Sequence, residues 1–274
     1  MQSRWRGLAA ATTLSLATAL TSCGQSPPVR VIPTEGPLAL RLVPPDGQVS
    51  RYAYSMETSV DSPMMPSDGP LVTMRWLQTQ TVLSVEGDVI RIRGAVDSVS
   101  MDMGMNMPGM DLLPELTEMS FTSEMDPRGR VLRIIESEGA PDVPGMSIES
   151  LVEGASYFVL PEEEVDTGDT WTFETPVDLA LGPGGVSMDM AFTYTFVGLE
   201  DGLATLSFEG PMEMNMEMEG MAMGGSGTIT GTMVVDLVEG RHVSQTSRMD
   251  AEMTIAGMTM KMNSTTTLEL MPDS

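Results

Sequence analysis

Polar and apolar residues alternate along much of this chain with a period of two. From Ala204 the even positions read Ala204, Leu206, Phe208, Gly210, Met212, Met214, Met216 and Met218, while the odd positions carry Thr205, Ser207, Glu209, Pro211, Glu213, Asn215 and Glu217. Side chains on a strand point alternately to opposite faces, so this run predicts one long strand with a dry face and a wet face. Just upstream, Met188, Met190, Phe192, Tyr194 and Phe196 alternate with Asp189, Thr193 and Thr195, and Gly198-Leu199-Glu200-Asp201-Gly202 reads as the hairpin loop between the two runs. A further hairpin is expected from Ile229–Leu237, a turn at Glu239-Gly240-Arg241, and a return over Val243–Ile255. In the first half, Met119–Met125 and Val131–Ile135 flank Asp126-Pro127-Arg128-Gly129, a strong turn sequence. Gly94 and Gly257 mark places where the alternation slips by one residue, as at a β-bulge.

The hairpins recur in order. Arg51–Met56 resembles Thr170–Phe173, Met74–Met103 resembles Met188–Met218, and Thr117–Ile135 resembles Thr228–Met249, at an offset of roughly 115 residues. The expected fold is therefore mostly β: a large curved antiparallel sheet, half-barrel or barrel-like, built from two similar halves over 38–145 and 161–274. One short helix is expected near 147–157 within the connecting segment 146–160. Ser147 stands as its N-cap, Ile148, Leu151, Val152 and Ala155 line one side, and Pro161 lies beyond its end.

The first 37 residues follow different rules. Arg4 and Arg6 precede an apolar run, Leu8–Leu20, which ends in Leu20-Thr21-Ser22-Cys23. This layout resembles a bacterial lipoprotein export signal with its lipobox. The resemblance implies cleavage before Cys23, a diacylglycerol on its thiol, and acylation (palmitate) of the new N-terminus. The thirteen residues Leu8–Leu20 fall short of the ~20 needed to span a bilayer, so residues 1–22 read as a removed signal. Residues 23–37 then form a lipidated cysteine and a Pro/Gly-rich tether. Several acyl chains, at ~0.8 kcal/mol per buried CH2, hold such a protein to a membrane. Gly24, rather than Asp, favours the outer membrane over the inner, by resemblance to the known sorting preference.

Charge and composition narrow the task. Removing Arg4 and Arg6 leaves 12 basic against 39 acidic residues, a net charge of −27, with Lys261 the sole lysine. Nucleic acid and anionic lipid surfaces both need basic patches, so neither is an expected partner. Cys23 is the only cysteine, so no disulfide, thiol nucleophile or cysteine metal site is available once it is lipidated. His242, the single histidine, reads as a surface residue at a strand start. The carboxylates Glu162, Glu163, Glu164, Asp166 and Asp169 read as a solvated acidic loop, and Gly224-Gly225-Ser226-Gly227 as a loop or the wide bend of a strand. No paired acid, base and nucleophile emerges, and no enzyme activity or cofactor is expected.

Lipobox, tether, two rounds of long strands and the segment Pro161-(x)3-Val165-(x)2-Gly168-Asp169-Thr170-Trp171 together resemble an uncharacterised group of bacterial lipoproteins. Their expected shape is similar to the half-barrels of the periplasmic lipoprotein-carrier (Lol) proteins. The resemblance covers most of 38–271 and implies a fold more than an activity.

Methionine is the remaining signal, with 28 in the chain. Met212, Met214, Met216 and Met218 continue a face begun by Leu206 and Phe208, and read as strand core or as a pliable apolar surface for a small molecule or lipid. Met101, Met103, Met105, Met107 and Met110 are interrupted by Gly104, Pro108 and Gly109, and read as a loop whose soft thioethers suit copper or silver. The expected function is thus a membrane-anchored, non-catalytic envelope lipoprotein that binds an apolar ligand or a partner. Soft-metal binding and a purely structural role are the alternatives.

Overall fold

A computed structural model describes residues 36–61, 70–103, 117, 119–139, 158–181, 184–218, 221–255 and 258–272, all within one compact unit, Val31–Ser274. Eleven strands follow in chain order: β1 (Val49–Asp61), β2 (Val72–Glu86), β3 (Val89–Met103), β4 (Ser120–Met125), β5 (Val131–Glu138), β6 (Thr170–Leu181), β7 (Gly184–Glu200), β8 (Leu203–Met218), β9 (Met221–Asp236), β10 (Arg241–Ile255) and β11 (Met258–Leu270). They form one antiparallel sheet in the order β5-β4-β3-β2-β1-β11-β10-β9-β8-β7-β6. Two meanders, β1–β5 and β6–β11, thus meet where β1 pairs with β11. The sheet does not close, because β5 and β6 remain its edges. Among the described residues there is no helix, and the helix expected at 147–157 lies outside them.

The expected alternation is realised strand by strand. On one face, rows of apolar residues run across three or four strands through directly opposed pairs, for example Trp171–Tyr194–Phe208 on β6, β7 and β8 and Leu268–Tyr54–Trp76–Val99 on β11, β1, β2 and β3. The opposite, outer face carries threonine, serine and carboxylates, with its few cations paired as in Arg248–Asp250, Lys261–Glu252 and Arg75–Glu57. The turn between β7 and β8 is tighter than the five-residue loop expected. Only Asp201 (φ 51°) and Gly202 (φ 83°) lie between the strands, both left-handed, as a two-residue hairpin turn requires. Gly198 instead sits within β7, beside the register shift between Phe196 and Gly198.

Gly94 is not a bulge. It pairs in register with Gln80 and Phe121, and a Cβ built on it would stand 2.7 Å from the Phe121 ring, so the glycine makes room for that side chain. The slip in alternation comes three residues later, where Asp97 is the extra residue opposite Leu77 and Gln78. Gly257 lies outside the described residues. Gly224–Gly227 belong to β9 and pair with β8 and β10. On the edge strand β5, shifts at Leu132 and Ile135 break the ladder and blunt that edge.

The antiparallel order puts the turns after β2, β4, β7 and β9 at one end of the sheet. Two segments, Leu38–Leu42 and Phe158–Val165, cross the apolar face at that end and are joined by reciprocal backbone hydrogen bonds between Leu38 and Val165 (2.9 and 3.0 Å). Their Leu40, Leu42, Phe158, Leu160 and Val165 pack with Tyr194, Phe196, Leu206, Met233 and Val235 into the main core. We call these two segments the strap. The methionine-rich stretches lie at the opposite end.

Candidate functional site

The strap is held at three places. At the first, Trp171 stacks on Tyr194 (5.6 Å between centroids, 14°) and its Nε1–H donates to the Val159 carbonyl at 2.8 Å. At the second, the Gly168 amide donates to the Phe196 carbonyl and the Phe196 amide to the Asp169 carbonyl, while the Asp169 carboxylate accepts the Asp166 amide. Gly168-Asp169-Thr170-Trp171 is therefore a clasp between strap and sheet. At the third, the Arg128 Nε–H donates to the Leu160 carbonyl at 2.7 Å, and its guanidinium pairs with Glu162. The acidic run 162–166 is thus exposed at Glu162–Glu164 and Asp166 as expected, while its backbone is tied at Glu162 and Val165 to the other strap segment through Arg41 and Leu38.

His242 is half-buried rather than a freely solvated surface residue. Its ring meets Phe158 edge-on at 4.9 Å, and burial under the strap pushes its pKa down to about 4. The Tyr52 hydroxyl donates to its backbone carbonyl at 3.4 Å. Burial likewise raises the phenols of Tyr54 and Tyr194, which stay protonated.

Beyond the strap, the apolar face is lined by methionine and aromatic side chains drawn from many strands. Met212 is buried and Met214 partly buried, and the backbones of Met216 and Met218 continue β8 opposite Met223 and Met221. Met253 and Met260 are directly opposed across β10 and β11, with Met249 and Met262 nearby, all half-buried. On the other meander, Met56, Met74 and Met101 stand opposite one another across β1, β2 and β3. Tyr54 and Trp76 lie beside them, stacked at 4.4 Å and 7°. Met101 and Met103 are strand residues of β3 rather than loop residues, and Met105, Met107 and Met110 lie outside the described residues. Cys23 lies outside them too. The sequence offered no sign that Met56, Met74 and Met249 belong with the clustered methionines, because each is isolated in its own stretch and only cross-strand register gathers them.

A depression of about 310 Å3 lies away from this face, lined mainly by outer-face residues that include Ser55, Arg75, Ser98, Thr267 and Glu269. Its hydroxyls share the lining with the Glu269 carboxylate, and Arg75 is paired with Glu57. Among the described residues no group of three histidine, cysteine or carboxylate side chains converges as a metal site.

Residues 147–242, about a third of the chain, match a family of unknown function, DUF6263; the match takes in the clasp and β6–β9. No curated protein matches the chain. Among solved structures, Ail, the attachment invasion locus protein of Yersinia pestis, aligns at 5% identity over 82% of this chain and 99% of its own, with a TM-score of 0.20. Salmonella typhi OmpF, in a complex with daunomycin, aligns at 7% identity over 81% of this chain and 98% of its own, with a TM-score of 0.27. At TM-scores this low, neither likeness bears on this protein's fold or function.

Proposed function

We propose that this chain is a lipid-anchored, non-catalytic envelope protein that holds an apolar ligand against the methionine-rich face of its sheet. The observation that supports this most is the half-buried state of that face. Met56, Met74, Met101, Met253 and Met260 are half-buried and lie outside the main core, with Met249 and Met262 packed at its edge, whereas the strap buries the same face at the other end. Thioether side chains repack easily around irregular molecules, and half-buried apolar patches of this kind mark interaction sites. A net charge of −27 after signal removal favours an uncharged or cationic one, since anions are repelled within the ~8 Å Debye length.

Under this reading Cys23 carries the anchor and residues 24–37 are the tether, with the outer membrane the favoured site. The meanders β1–β5 and β6–β11 descend from one duplicated unit, a view supported by the ordered sequence correspondence and by the similar run of hairpins in each. Two measurements test the proposal. Protein purified from its host under native conditions is expected to carry a co-purifying apolar molecule, visible by native mass spectrometry and by organic extraction. A protein that is empty by both methods and binds no apolar probe would leave only a structural role. Separately, Cys23→Ser is expected to release the protein from membranes on fractionation, and unchanged association in that variant would refute the anchor.

A further inference from the structure

We propose that Met56, Met74 and Met101 form a three-thioether site for a soft monovalent cation, Cu(I) or Ag(I). The site goes beyond apolar ligand binding and does not depend on it. The three residues are directly opposed on three neighbouring strands: Met56 faces Met74 across β1 and β2, and Met74 faces Met101 across β2 and β3. All three residues are half-buried on the same face, partly sheltered from water without being sealed off from it. Neighbouring strands lie ~4.7–4.9 Å apart, so an ion above Met74 would be offset sideways by only ~5 Å from each of its two neighbours. Unbranched side chains with three rotatable bonds can close that distance from both sides.

The surroundings decide which ion is suited. Thioethers are soft, neutral donors that select Cu(I) over the common hard cations. The flanking rows on this face are Tyr54–Trp76–Val99 and Thr58–Val72–Met103 by register, and the methionine row itself continues onto β11 as Thr266. None of these positions carries a carboxylate or imidazole, so among the described residues of this face Zn(II), Cu(II) and Ca(II) find no ligands there. None carries an ammonium or guanidinium to repel a cation. The Trp76 indole, two residues along β2 from Met74, places an electron-rich ring beside the row, which favours positive charge. Neither Met56 nor Met74 belongs to a Met-x-Met string, so the site is assembled by register rather than by local sequence. It therefore differs from the 101–110 run, with which it shares only Met101.

The test uses the full chain carrying Cys23→Ser in every sample, which removes the one competing thiol. Cu(I) is titrated anaerobically against bicinchoninate, Ag(I) is titrated by calorimetry, and the methionine methyl groups are followed by NMR. One equivalent of either ion is expected to bind, with the ε-methyl resonances of Met56, Met74 and Met101 shifting together. Zn(II) at the same concentration is expected to move none of them. Met74→Leu is expected to weaken binding by more than the roughly 100-fold that loss of an outer-shell partner costs. Met56→Leu and Met101→Leu should act in the same direction, and Met253→Leu should leave binding unchanged. Leucine is a near-isosteric replacement, and the NMR shifts of the parent protein require no variant, so a misfolded Met74→Leu leaves the test intact. Absence of stoichiometric binding would overturn the assignment. So would binding that survives Met74→Leu, or binding lost on changing Met105, Met107 and Met110 but kept in Met56→Leu and Met74→Leu.

Discussion

The clasp between strap and sheet makes a sharp prediction at Trp171. Replacing Trp171 by Phe keeps an aromatic ring against Tyr194 but removes the indole N–H that satisfies the Val159 carbonyl. Val159 is only 3% exposed, so water cannot readily replace that donor. A buried acceptor left without its partner costs about 1–3 kcal/mol. Trp171 is itself only partly buried, so loss of the second indole ring adds little. The strap touches the sheet along one end, and its opening need not unfold β8–β10, so the whole penalty should appear in a local opening equilibrium. Amide exchange at Leu38, Leu160 and Val165, whose N–H groups donate to Val165, Arg128 and Leu38 respectively, is then expected to accelerate roughly 5- to 150-fold. Amides in the middle of β8–β10 should be unaffected. Hydrogen exchange read by NMR or mass spectrometry measures both sets in one experiment. Unchanged protection of the strap amides would refute the clasp. Equal acceleration everywhere would refute the strap as a separately opening unit.

Two further outcomes follow from burial. Met212 is 2% exposed in the core beside Met190, so Met212→Ala is expected to destabilise by about 2–5 kcal/mol in urea unfolding, and Met214→Ala, at a half-buried position, by clearly less. Acid should weaken the fold in two windows. The unfolded chain protonates His242 near its ordinary 6.5 while the buried imidazole resists to about 4, so stability falls as pH drops through that interval, and His242→Gln should flatten the decline. Glu124 is held down to about 2 by its hydrogen bonds from Arg133 and Arg91, so its contribution is complete above the usual 4.5 and is lost as pH falls towards 2. Urea midpoints from pH 7 to 2 for the parent, His242→Gln and Glu124→Gln would separate the windows, and a parent midpoint that does not move with pH would contradict both.

Strand identity, face and turn were legible in the sequence because alternation is local. A residue two positions along a strand shares a face whatever else the chain does. Hence Ala204–Met218, the turn at Asp126–Gly129 and the dry-and-wet character of the whole sheet could be read directly. The clasp residues were visible as the string Gly168-Asp169-Thr170-Trp171, but not their purpose, since Val159 and Tyr194 approach Trp171 only when the chain is folded.

Pairing order belongs to the tertiary structure. Nothing local says that β1 lies against β11, and that contact makes one eleven-stranded sheet out of two meanders. Register is equally non-local, because each extra residue, such as Asp97 on β3 or Val243 on β10, shifts every later partner on its strand. That is why Gly94 looked like the bulge and why His242 looked like a surface residue before Phe158 was known to lie over it. It is also why Met56, Met74 and Met101, separated along the chain and unremarkable there, come into one row: alternation chose their face, and accumulated hydrogen-bond register chose their neighbours.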